Sequence, residues 1–580
     1  MLILSPMLEP PIFMLTVYAH QKFIVLNYSI FSILSSTFLF NHKVQYVKLQ
    51  ISGEIVLGKE AIVAFLIHKH ISHVFHLPGI HSLPLNQSLL KQEVNSVMGR
   101  HEAGVAFAAI GYARATGLLG TVIVTPGPGL GNVISSCMEA YADQVPLLVI
   151  HVDTERGQIG KGILHELREP ERMFTHFAKG TFIVERKESL VPLLEAAHDA
   201  ALSGRPGPAV ISIPYAMFEK EVPFTLKDAS HAPPEPDLTG LEEAVSGKER
   251  PVIIGGGSLV REELRAPLEA LCEHSAIPFL TTTAGRGLLR EDQLETFGCA
   301  MRKGVVRDIL EASDLVLALG TRLRDVDTKR RGVKIGELVH IDVDNAWMGR
   351  NYPTRLGIAG NIKTSVLGLC EVLKKKRSSW QLKELKETQR KEEAEMLQHA
   401  QGFKIVSILR SAIPQETVCV WDMNLISYWA EYYFPVLGPR TFLEGRGSST
   451  IFYAVPASVG AKLGRPETPC LCVVGDGGGL PTLGELATVK QYNIPIVFLV
   501  YNNSSFGILE SYMKDRYGIE GSMNLTNPDF VQLARAFDIP AKRVDNLEDL
   551  RDVFVRQVRW DEPFLIEFKY PTFPLPWEIQ

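Results

Sequence analysis

Three stretches of the chain alternate helix-like segments with short apolar runs. In residues 51–220, KEAIVAFLIHKHI predicts a helix and PLLVIHVD a buried strand; the same alternation returns in 246–375 and in 402–580. Apolar runs without an in–out alternation are typical of strands that are covered on both faces, as in parallel sheets flanked by helices. The pattern therefore predicts an α/β fold with three doubly wound parallel-sheet domains.

Three other segments break this pattern. Residues 221–245 are rich in proline and polar residues and predict a linker, whereas the charged run 376–401 predicts a solvated helix that joins two domains. Residues 1–50 are apolar, and 23–40 carry no charge, which is close to the minimum length for a membrane span. Polar residues within it argue against a membrane anchor, so we expect an N-terminal extension upstream of a later translation start.

Composition narrows the class of protein. The 580 residues include 60 basic and 65 acidic side chains, a formal charge of −5, so a nucleic-acid partner is not expected. A hydrophobic fraction of 46% excludes a disordered chain. Seven scattered cysteines argue against a secreted disulfide scaffold. We therefore expect a multidomain cytoplasmic protein.

The first and third stretches share a pattern of their own. IGYARATG followed by TVIVTPGPG in the first resembles SVGAKLG followed by LCVVGDGG in the third. In each case a helix rich in glycine and alanine precedes an apolar strand and a glycine-containing loop. We therefore expect these two domains to be structural relatives.

Polar side chains follow two successive apolar runs of the third stretch. Asp476 comes directly after CLCVVG, and Asn503 follows IPIVFLVYN, 27 residues later. That separation accommodates a helix and a strand, so the two side chains are expected at the carboxyl edge of adjacent parallel strands. Carboxylate and amide oxygens suit Mg²⁺, and the glycines around Asp476 allow a diphosphate to approach the backbone. A simple turn is the alternative for Gly-Asp-Gly alone; the spacing favours the metal site.

This segment resembles the cofactor-binding motif of the thiamine diphosphate-dependent enzymes of the acetolactate synthase and 2-oxo acid decarboxylase type. The resemblance implies that Asp476, the Asn503 side chain and the Ser505 carbonyl bind Mg²⁺. It extends over about residues 55–575 and implies pyrimidine-binding, middle and diphosphate-binding domains. It further implies a homodimer or homotetramer, with thiamine diphosphate between Glu102 of one subunit and Asp476 of another.

RHEAGVAFAAIGYARATG looks like the family's glutamate motif, with Glu102 in the position that protonates the aminopyrimidine ring. The alternative for Glu102 is an ordinary partner of a helix dipole. In GRGSSTIFYAV, the resemblance assigns Ser449 as the acceptor for the cofactor's amine and Ile451 as the wedge that bends the cofactor; an ordinary core residue is the alternative for Ile451. The remaining contacts that it implies are Gly475, Gly477, Gly478 and Gly507 for the cofactor, and Gly79, Ile80, Ile508 and Tyr512 for the substrate.

Two departures bear on the reaction. Leu77-Pro78-Gly79-Ile80 stands where the synthases usually have Pro-Gly-Gly, and the branched Ile80 narrows the space that a second 2-oxo acid would need. Leu164-His165-Glu166 replaces their Phe-Gln-Glu, and His165 is a candidate for proton transfer, with a structural histidine as the alternative. The segment AYADQVPLLVIHVDTERGQIGKGILHEL looks closer to the 5-guanidino-2-oxopentanoate decarboxylase-like members than to acetolactate synthase.

The middle domain leaves its ligand open. GTRLRDVD stands where the synthases carry an arginine and aspartate run that contacts FAD, a departure that argues against a flavin, whereas GGGSLV at 255–260 could still accept a nucleotide. The sequence thus predicts a lyase that uses thiamine diphosphate and Mg²⁺ to decarboxylate a 2-oxo acid to an aldehyde. An acetolactate synthase-type carboligase (a transferase) is the first alternative, and a catalytically silent nucleotide-binding subunit is the second.

Overall fold

The computed structural model describes residues 53–92, 94–226, 233–329 and 331–578. The N-terminal extension lies outside these ranges, and with it both the late-start expectation and its membrane-anchor alternative. Among the described residues, no helix combines the length and the apolar character that crossing a membrane requires.

The first domain contains a six-stranded parallel sheet in the order β3-β2-β4-β5-β7-β6, with a separate antiparallel pair, β1 and β8. Its strands are β1 Glu54–Leu57, β2 His73–His76, β3 Asn95–Met98, β4 Gly120–Val124, β5 Leu147–Asp153, β6 Gly180–Ile183, β7 Pro208–Pro214 and β8 Glu221–Phe224. Its helices are α1 Gly58–His68, α2 Leu83–Lys91, α3 Glu102–Thr116, α4 Pro128–Gly131, α5 Ile134–Asp143 and α6 Leu190–Leu202.

The predicted linker 221–245 is partly regular structure. Its first four residues form β8, because Val222 and Phe224 point into the core while Glu221 and Pro223 remain exposed. This in–out alternation lets β8 pair with β1 along the edge of the first domain. At its other end, α7 covers Leu241–Val245.

The middle domain has a six-stranded parallel sheet in the order β11-β10-β9-β12-β13-β14. Numbered within the domain, this is the 3-2-1-4-5-6 arrangement of dinucleotide-binding folds. Its strands are β9 Pro251–Gly255, β10 Phe279–Thr281, β11 Thr296–Cys299, β12 Leu315–Leu319, β13 Leu338–Asp342 and β14 Leu356–Ala359. Its further helices are α8 Gly257–Arg261, α9 Arg265–Ser275, α10 Val305–Ala312 and α11 Ile362–Leu373.

The charged run 376–401 contains α12, Leu382–His399, which leads into the third domain. That domain's parallel sheet has the order β16-β15-β17-β18-β20-β19. Its strands are β15 Val418–Trp421, β16 Phe442–Glu444, β17 Cys470–Gly475, β18 Val497–Asn502, β19 Ala541–Val544 and β20 Phe564–Lys569. Its helices are α13 Gln401–Ala412, α14 Leu425–Tyr433, α15 Ala454–Gly464, α16 Asp476–Gly479, α17 Leu486–Gln491, α18 Gly507–Tyr517, α19 Phe530–Ala536 and α20 Leu547–Arg556.

Counted from the first strand of each parallel sheet, the first and third domains both have the order 2-1-3-4-6-5. They meet through α3 and α15, the two helices rich in glycine and alanine. A Cβ atom on Gly111 would overlap the Ala457 carbonyl, and one on Gly460 would overlap the Ala108 carbonyl. Glycine at both positions therefore lets the two backbones approach closely. The three-domain doubly wound α/β architecture is confirmed, and the likeness between the first and third domains appears in the strand order.

Candidate active site

The candidate metal site lies where β17 and β18 end. These strands are parallel neighbours, with Gly475 opposite Tyr501, so the residues that follow them lie at the same edge of the sheet. The Asp476 carboxylate is buried; one oxygen accepts from the Gly477 amide (2.9 Å) and the other from Asn527 Nδ2 (2.7 Å). Burial raises the pKa of the Asp476 carboxyl above its usual range. A bound cation would offset that cost of desolvation.

Two asparagines lie at the end of β18: Asn502 is its last residue and Asn503 follows it, and the two have different partners. Asn502 Oδ1 accepts from Asn527 Nδ2 (3.2 Å) and from the Ser504 amide (3.1 Å), so Asn527 bridges Asn502 and Asp476. Asn503 Nδ2 donates to Thr572 Oγ1 (3.0 Å), so its amide oxygen is the atom that a cation would use. Ser505 is buried and donates its hydroxyl to the Met523 carbonyl (3.1 Å).

The glycines next to Asp476 pack too closely against their neighbours to carry side chains, and we call this stretch the glycine cradle. A Cβ atom on Gly477 would lie 2.5 Å from the Phe506 ring, and one on Gly478 would lie 3.1 Å from Asp422 Oδ1. On α18, a Cβ atom on Gly507 would lie 2.6 Å from Asn503 Nδ2. Backbone therefore takes the place of side chains around the Gly-Asp-Gly turn, as the binding of a diphosphate requires.

Residues 447–452 form a loop beside this turn; we call it the wedge loop. Ser449 and Phe452 have positive φ values of 51° and 76°, which side-chain-bearing residues rarely adopt. Ile451 lies within van der Waals distance of a Cβ built on Gly478. The loop's carboxyl end is held by Asp422, whose Oδ2 accepts from the Ala454 amide (2.9 Å). The structure thus brings Ser449 and Ile451 to the same edge of the sheet as Asp476.

Glu102 begins α3 in the first domain. His101 precedes it, and its ring accepts from the Ala103 amide (3.1 Å) as the helix cap. Glu102 is half-buried, and its Oε2 accepts from Asn132 Nδ2 (2.9 Å). A Cβ atom on Gly129 would lie 3.7 Å from Glu102 Oε1, so the glycine-rich loop after β4 lies beside this carboxylate.

A histidine pair lies at the same end of the first domain. The His81 ring is 5.6 Å from the His165 ring and 5.2 Å from the Tyr215 ring. Both Nδ1 atoms are buried, and neither has a hydrogen-bond partner among the described residues. Burial, and then the nearby His165, lower the pKa of His81. The backbone of His165, at φ 64°, packs against Gly127 of the loop that borders Glu102.

The expected substrate residues fall into two groups. Gly79 and Ile80 form the turn before His81, and the Ile80 side chain is 69% exposed. Ile508 and Tyr512 lie on α18, where Ile508 packs against the third domain's core and Tyr512 lies under Arg516 (4.9 Å from the ring centre).

The sequence reasoning missed several residues that the structure places here: Asp422, Asn502, Asn527, Thr572 and His81. A signal existed for Asp422, because it follows the apolar strand VCVW as Asp476 follows CLCVVG. Asn527 follows no strand, and only the fold brings it 51 residues back to Asp476.

The donor set fits Mg²⁺ and thiamine diphosphate. Asp476, the Asn503 amide oxygen and the Ser505 carbonyl are hard oxygen donors at one edge of the sheet, next to a glycine cradle. Only one of the three is a carboxylate. In keeping with this, the described residues contain no cluster of three or more His, Cys, Asp or Glu side chains that could hold a metal ion.

A separate cleft lies between the middle domain and the other two. Arg324 of the GTRLRDVD run pairs with Asp143 of the first domain (2.8 Å) and with Asp327 (2.7 Å). Arg322 donates to the Ala142 carbonyl, and burial, followed by the nearby Arg324, lowers its pKa to about 10. Asp342, at the end of β13, has its pKa raised to about 6 by burial.

Three family models match the chain in the order of its three sheets. They are the thiamine pyrophosphate enzyme N-terminal TPP binding domain (residues 57–172), central domain (238–369) and C-terminal TPP binding domain (422–568). Fold and site thus define a class: enzymes built from these three domains that use thiamine diphosphate (thiamine pyrophosphate, TPP).

The chain belongs to this thiamine pyrophosphate enzyme family. It is 32% identical over 510 residues to a probable 2-ketoarginine decarboxylase of Pseudomonas aeruginosa, an alignment that covers 85% of this chain and 90% of the relative. It is 27% identical over 555 residues to a probable acetolactate synthase large subunit of Methanococcus aeolicus (88% and 91% covered). It is 29% identical over 550 residues to an acetolactate synthase of Mycobacterium avium (90% and 88%). The resemblance is confirmed; both decarboxylation and carboligation fit these relatives.

Proposed function

We propose that this chain is a thiamine diphosphate- and Mg²⁺-dependent lyase that decarboxylates a 2-oxo acid and releases an aldehyde. The observation that carries the proposal is Ile80, a branched and 69% exposed side chain next to the histidine pair, at the carboxyl edge of the first domain's sheet. A second 2-oxo acid would have to occupy that space for carboligation. The decarboxylase relative supports the same choice.

The third domain would bind the metal ion and the cofactor. Asp476, Asn503 and the Ser505 carbonyl would hold Mg²⁺, and Gly475, Gly477, Gly478 and Gly507 would leave room for the diphosphate. The Ser449 carbonyl would accept a hydrogen bond from the cofactor's amine, and the Ile451 side chain would keep the cofactor in its bent conformation. When bound, thiamine diphosphate supplies the carbon nucleophile that adds to the 2-oxo group and stabilises the charge left when CO₂ departs.

Glu102 would protonate the cofactor's pyrimidine ring, as a general acid in a half-buried position. The hydrogen bond that Asn132 donates to Glu102 holds the carboxylate at the start of α3. His165 would transfer a proton to or from the reacting substrate, and Gly79 and Ile80 of the neighbouring turn would contact the substrate. Ile508 and Tyr512 on α18 would contact the substrate from the third domain.

A homodimer or homotetramer follows from the proposal that Glu102 and Asp476 of different subunits share a cofactor. Large apolar side chains near the Glu102 end of the first domain support a subunit contact there, among them Ile80 (69% exposed) and Leu164 (65%). No nucleic-acid partner and no membrane partner are proposed, and a cytoplasmic location stays a prediction.

The cleft at the middle domain favours an anionic ligand. Arg322 is buried beside two other arginines, and a phosphate group would neutralise this local excess of positive charge. FAD or another nucleotide is therefore a second proposed ligand. The purified protein's absorbance near the flavin bands, and titration with FAD and with ADP, would distinguish a flavin from a plain nucleotide and from no ligand.

Carboligation is the competing reaction, and it is favoured by the acetolactate synthase relatives. The test is a panel of 2-oxo acids, including 5-guanidino-2-oxopentanoate and pyruvate, with aldehyde and acetolactate both measured. We expect aldehyde as the main product. Acetolactate as the main product would overturn the lyase proposal, and no product from any acid would favour the catalytically silent alternative.

Replacement of Ile80 sharpens the same test. Ile80→Gly opens the space for a second 2-oxo acid, so the ratio of acetolactate to aldehyde should rise. Ile55→Gly is the matched control, because Ile55 lies in the same domain, is 70% exposed and is in β1, away from the site. Equal product ratios in Ile80→Gly and wild type would remove the steric argument.

A further inference from the structure

Two buried glutamates cross between the first and third domains, in opposite directions. Glu139 lies on α5 of the first domain and is fully buried, yet three of its four hydrogen-bond donors belong to the third domain; the fourth is Arg114 Nη2 of the first domain (3.5 Å). Glu485 follows the Gly-Asp-Gly turn in the third domain, is 5% exposed, and accepts a hydrogen bond from the first domain. Neither residue is among the cofactor or substrate contacts assigned above.

Glu139 holds the wedge loop. Its Oε1 accepts from the Gly447 amide (3.0 Å), and its Oε2 accepts from the Ser448 amide (2.8 Å) and from Thr450 Oγ1 (3.4 Å). A Cβ atom on Gly447 would lie 2.9 Å from both the Glu139 carbonyl and the Asp143 amide, so the loop lies directly on α5. These bonds fix the residues on both sides of Ser449, whose positive φ needs support from its surroundings.

Glu485 holds the turn that precedes Glu102. Its Oε1 accepts from the Arg100 amide (2.9 Å), two residues before Glu102, and its Oε2 accepts from Thr488 Oγ1 (2.5 Å). A Cβ atom on Gly99 would lie 3.3 Å from both Glu485 oxygens, so the carboxylate also sets how closely this turn can approach. A third-domain side chain thereby fixes the start of α3.

Buried carboxylates cost free energy unless hydrogen bonds compensate for lost hydration. Glu139 is compensated by two amides and a hydroxyl of the third domain and by Arg114 of its own domain. Glu485 is compensated by the Arg100 amide of the first domain and by the Thr488 hydroxyl of its own. In both cases the donors from the other domain border one half of the proposed cofactor site. We propose that Glu139 and Glu485 are reciprocal positioning residues, by which each domain holds the cofactor-binding turn of the other. The proposal rests on the proposed function only for the identity of the cofactor.

The first test uses the cofactor-free protein and hydrogen–deuterium exchange. Glutamine keeps the size of each side chain but turns one acceptor oxygen into a donor group. In Glu139→Gln we expect amide exchange in 446–450 to rise about tenfold, with 99–103 unchanged. In Glu485→Gln we expect about the same rise in 99–103, with 446–450 unchanged.

The control is Glu195→Gln. Glu195 is another buried glutamate of the first domain, and its Oε1 lies 3.9 Å from Lys69 Nζ. This variant should leave both segments at wild-type rates. The proposal would be overturned if both segments kept the same exchange rates in all three variants. It would also be overturned if exchange rose equally in both segments. Should Glu139→Gln fail to fold, Thr450→Val keeps the buried carboxylate and should raise exchange in 446–450 about threefold; wild-type rates there would overturn it too.

The second test separates positioning from plain stabilisation. With thiamine diphosphate and Mg²⁺ at saturation, C2 hydrogen–deuterium exchange of the bound cofactor is measured by quenched NMR. We expect it to be about tenfold slower in Glu139→Gln and Glu485→Gln than in Glu195→Gln, even at temperatures where all three are folded. Unchanged C2 exchange would show that the two residues only stabilise. A chain that binds no cofactor would refute the proposed function. The amide exchange of the cofactor-free protein would still decide whether Glu139 and Glu485 hold the turns of the opposite domain.

Discussion

The first and third domains have the same strand order but carry different chemistry at the same edge of the sheet. In the first domain, the carboxyl edge carries a half-buried glutamate at a helix start and a pair of histidines. In the third domain, it carries a buried aspartate, two asparagines and a glycine cradle. Under the proposed function, one scaffold would serve proton transfer in the first domain and anchoring of an ion and phosphates in the third. The two halves should therefore respond differently to substitution.

The largest effect is expected for the anchoring half. Asp476→Ala removes the one carboxylate of the proposed metal site, so Mg²⁺-dependent binding of thiamine diphosphate should be lost and turnover with it. Calorimetry with and without Mg²⁺ measures this loss, and Asp545→Ala, an exposed acid of the same domain, is the control. Wild-type affinity in Asp476→Ala would mean that the third domain does not hold the metal.

The proton-transfer half should respond in the opposite way. Glu102→Gln keeps the size of the side chain and a hydrogen bond, but it cannot give up a proton. Turnover and C2 exchange should therefore fall by about 10²–10⁴, while cofactor affinity stays within about threefold of wild type. Glu60→Gln is the matched control, since Glu60 also lies in the first turn of a first-domain helix. Unaltered C2 exchange in Glu102→Gln would reduce Glu102 to a helix-start residue.

Much of this division could be predicted from the sequence. The apolar runs and the 27-residue spacing from Asp476 to Asn503 predict that these two residues lie at one edge of the third domain's sheet, because strand ends and βαβ connections follow local rules. The role of Asn527 and the crossing of Glu139 and Glu485 could not be predicted, because they depend on how separate segments pack. The hydrogen-bond partners of Asn502 and Asn503 could not be predicted for a related reason: they are Asn527 and Thr572, which lie far away along the chain.

The shared helix contact should be sensitive from both sides. Gly111→Ala and Gly460→Ala each place a methyl group against the partner helix's backbone, so each should lower the free energy of unfolding by about 3 kcal/mol. Gly157→Ala is the control, since no atom lies within 4 Å of a Cβ built there. Chemical denaturation measures the change. A neutral result at one position and a large loss at the other would show that the two domains do not share the contact equally.

The smallest effect concerns the residue that follows the first strand of the parallel sheet, which is Leu77 after β2 in the first domain and Asp422 after β15 in the third. Burial raises the pKa of Asp422 to about 6 from its usual 3.8, so the folded protein holds this proton more tightly than the unfolded chain. Stability should therefore fall as the pH rises from about 4 to about 6 and then level off, a contribution of at most about 3 kcal/mol. Asp422→Asn should flatten that part of the curve of unfolding free energy against pH; an unchanged slope would mean that Asp422 titrates normally.

The bond between Arg324 and Asp143 has a consequence for how the chain unfolds. Arg114 pairs with the same Asp143 and also donates to the Glu444 carbonyl, so side chains of the first and middle domains and backbone of the third share one buried cluster. Detaching the middle domain would leave the Asp143 carboxylate buried with one cation fewer. Partial unfolding is therefore costly, and a single cooperative thermal transition is expected in place of three separate ones. Fragments cut at domain boundaries would lose this cluster and should be poor starting points for expression.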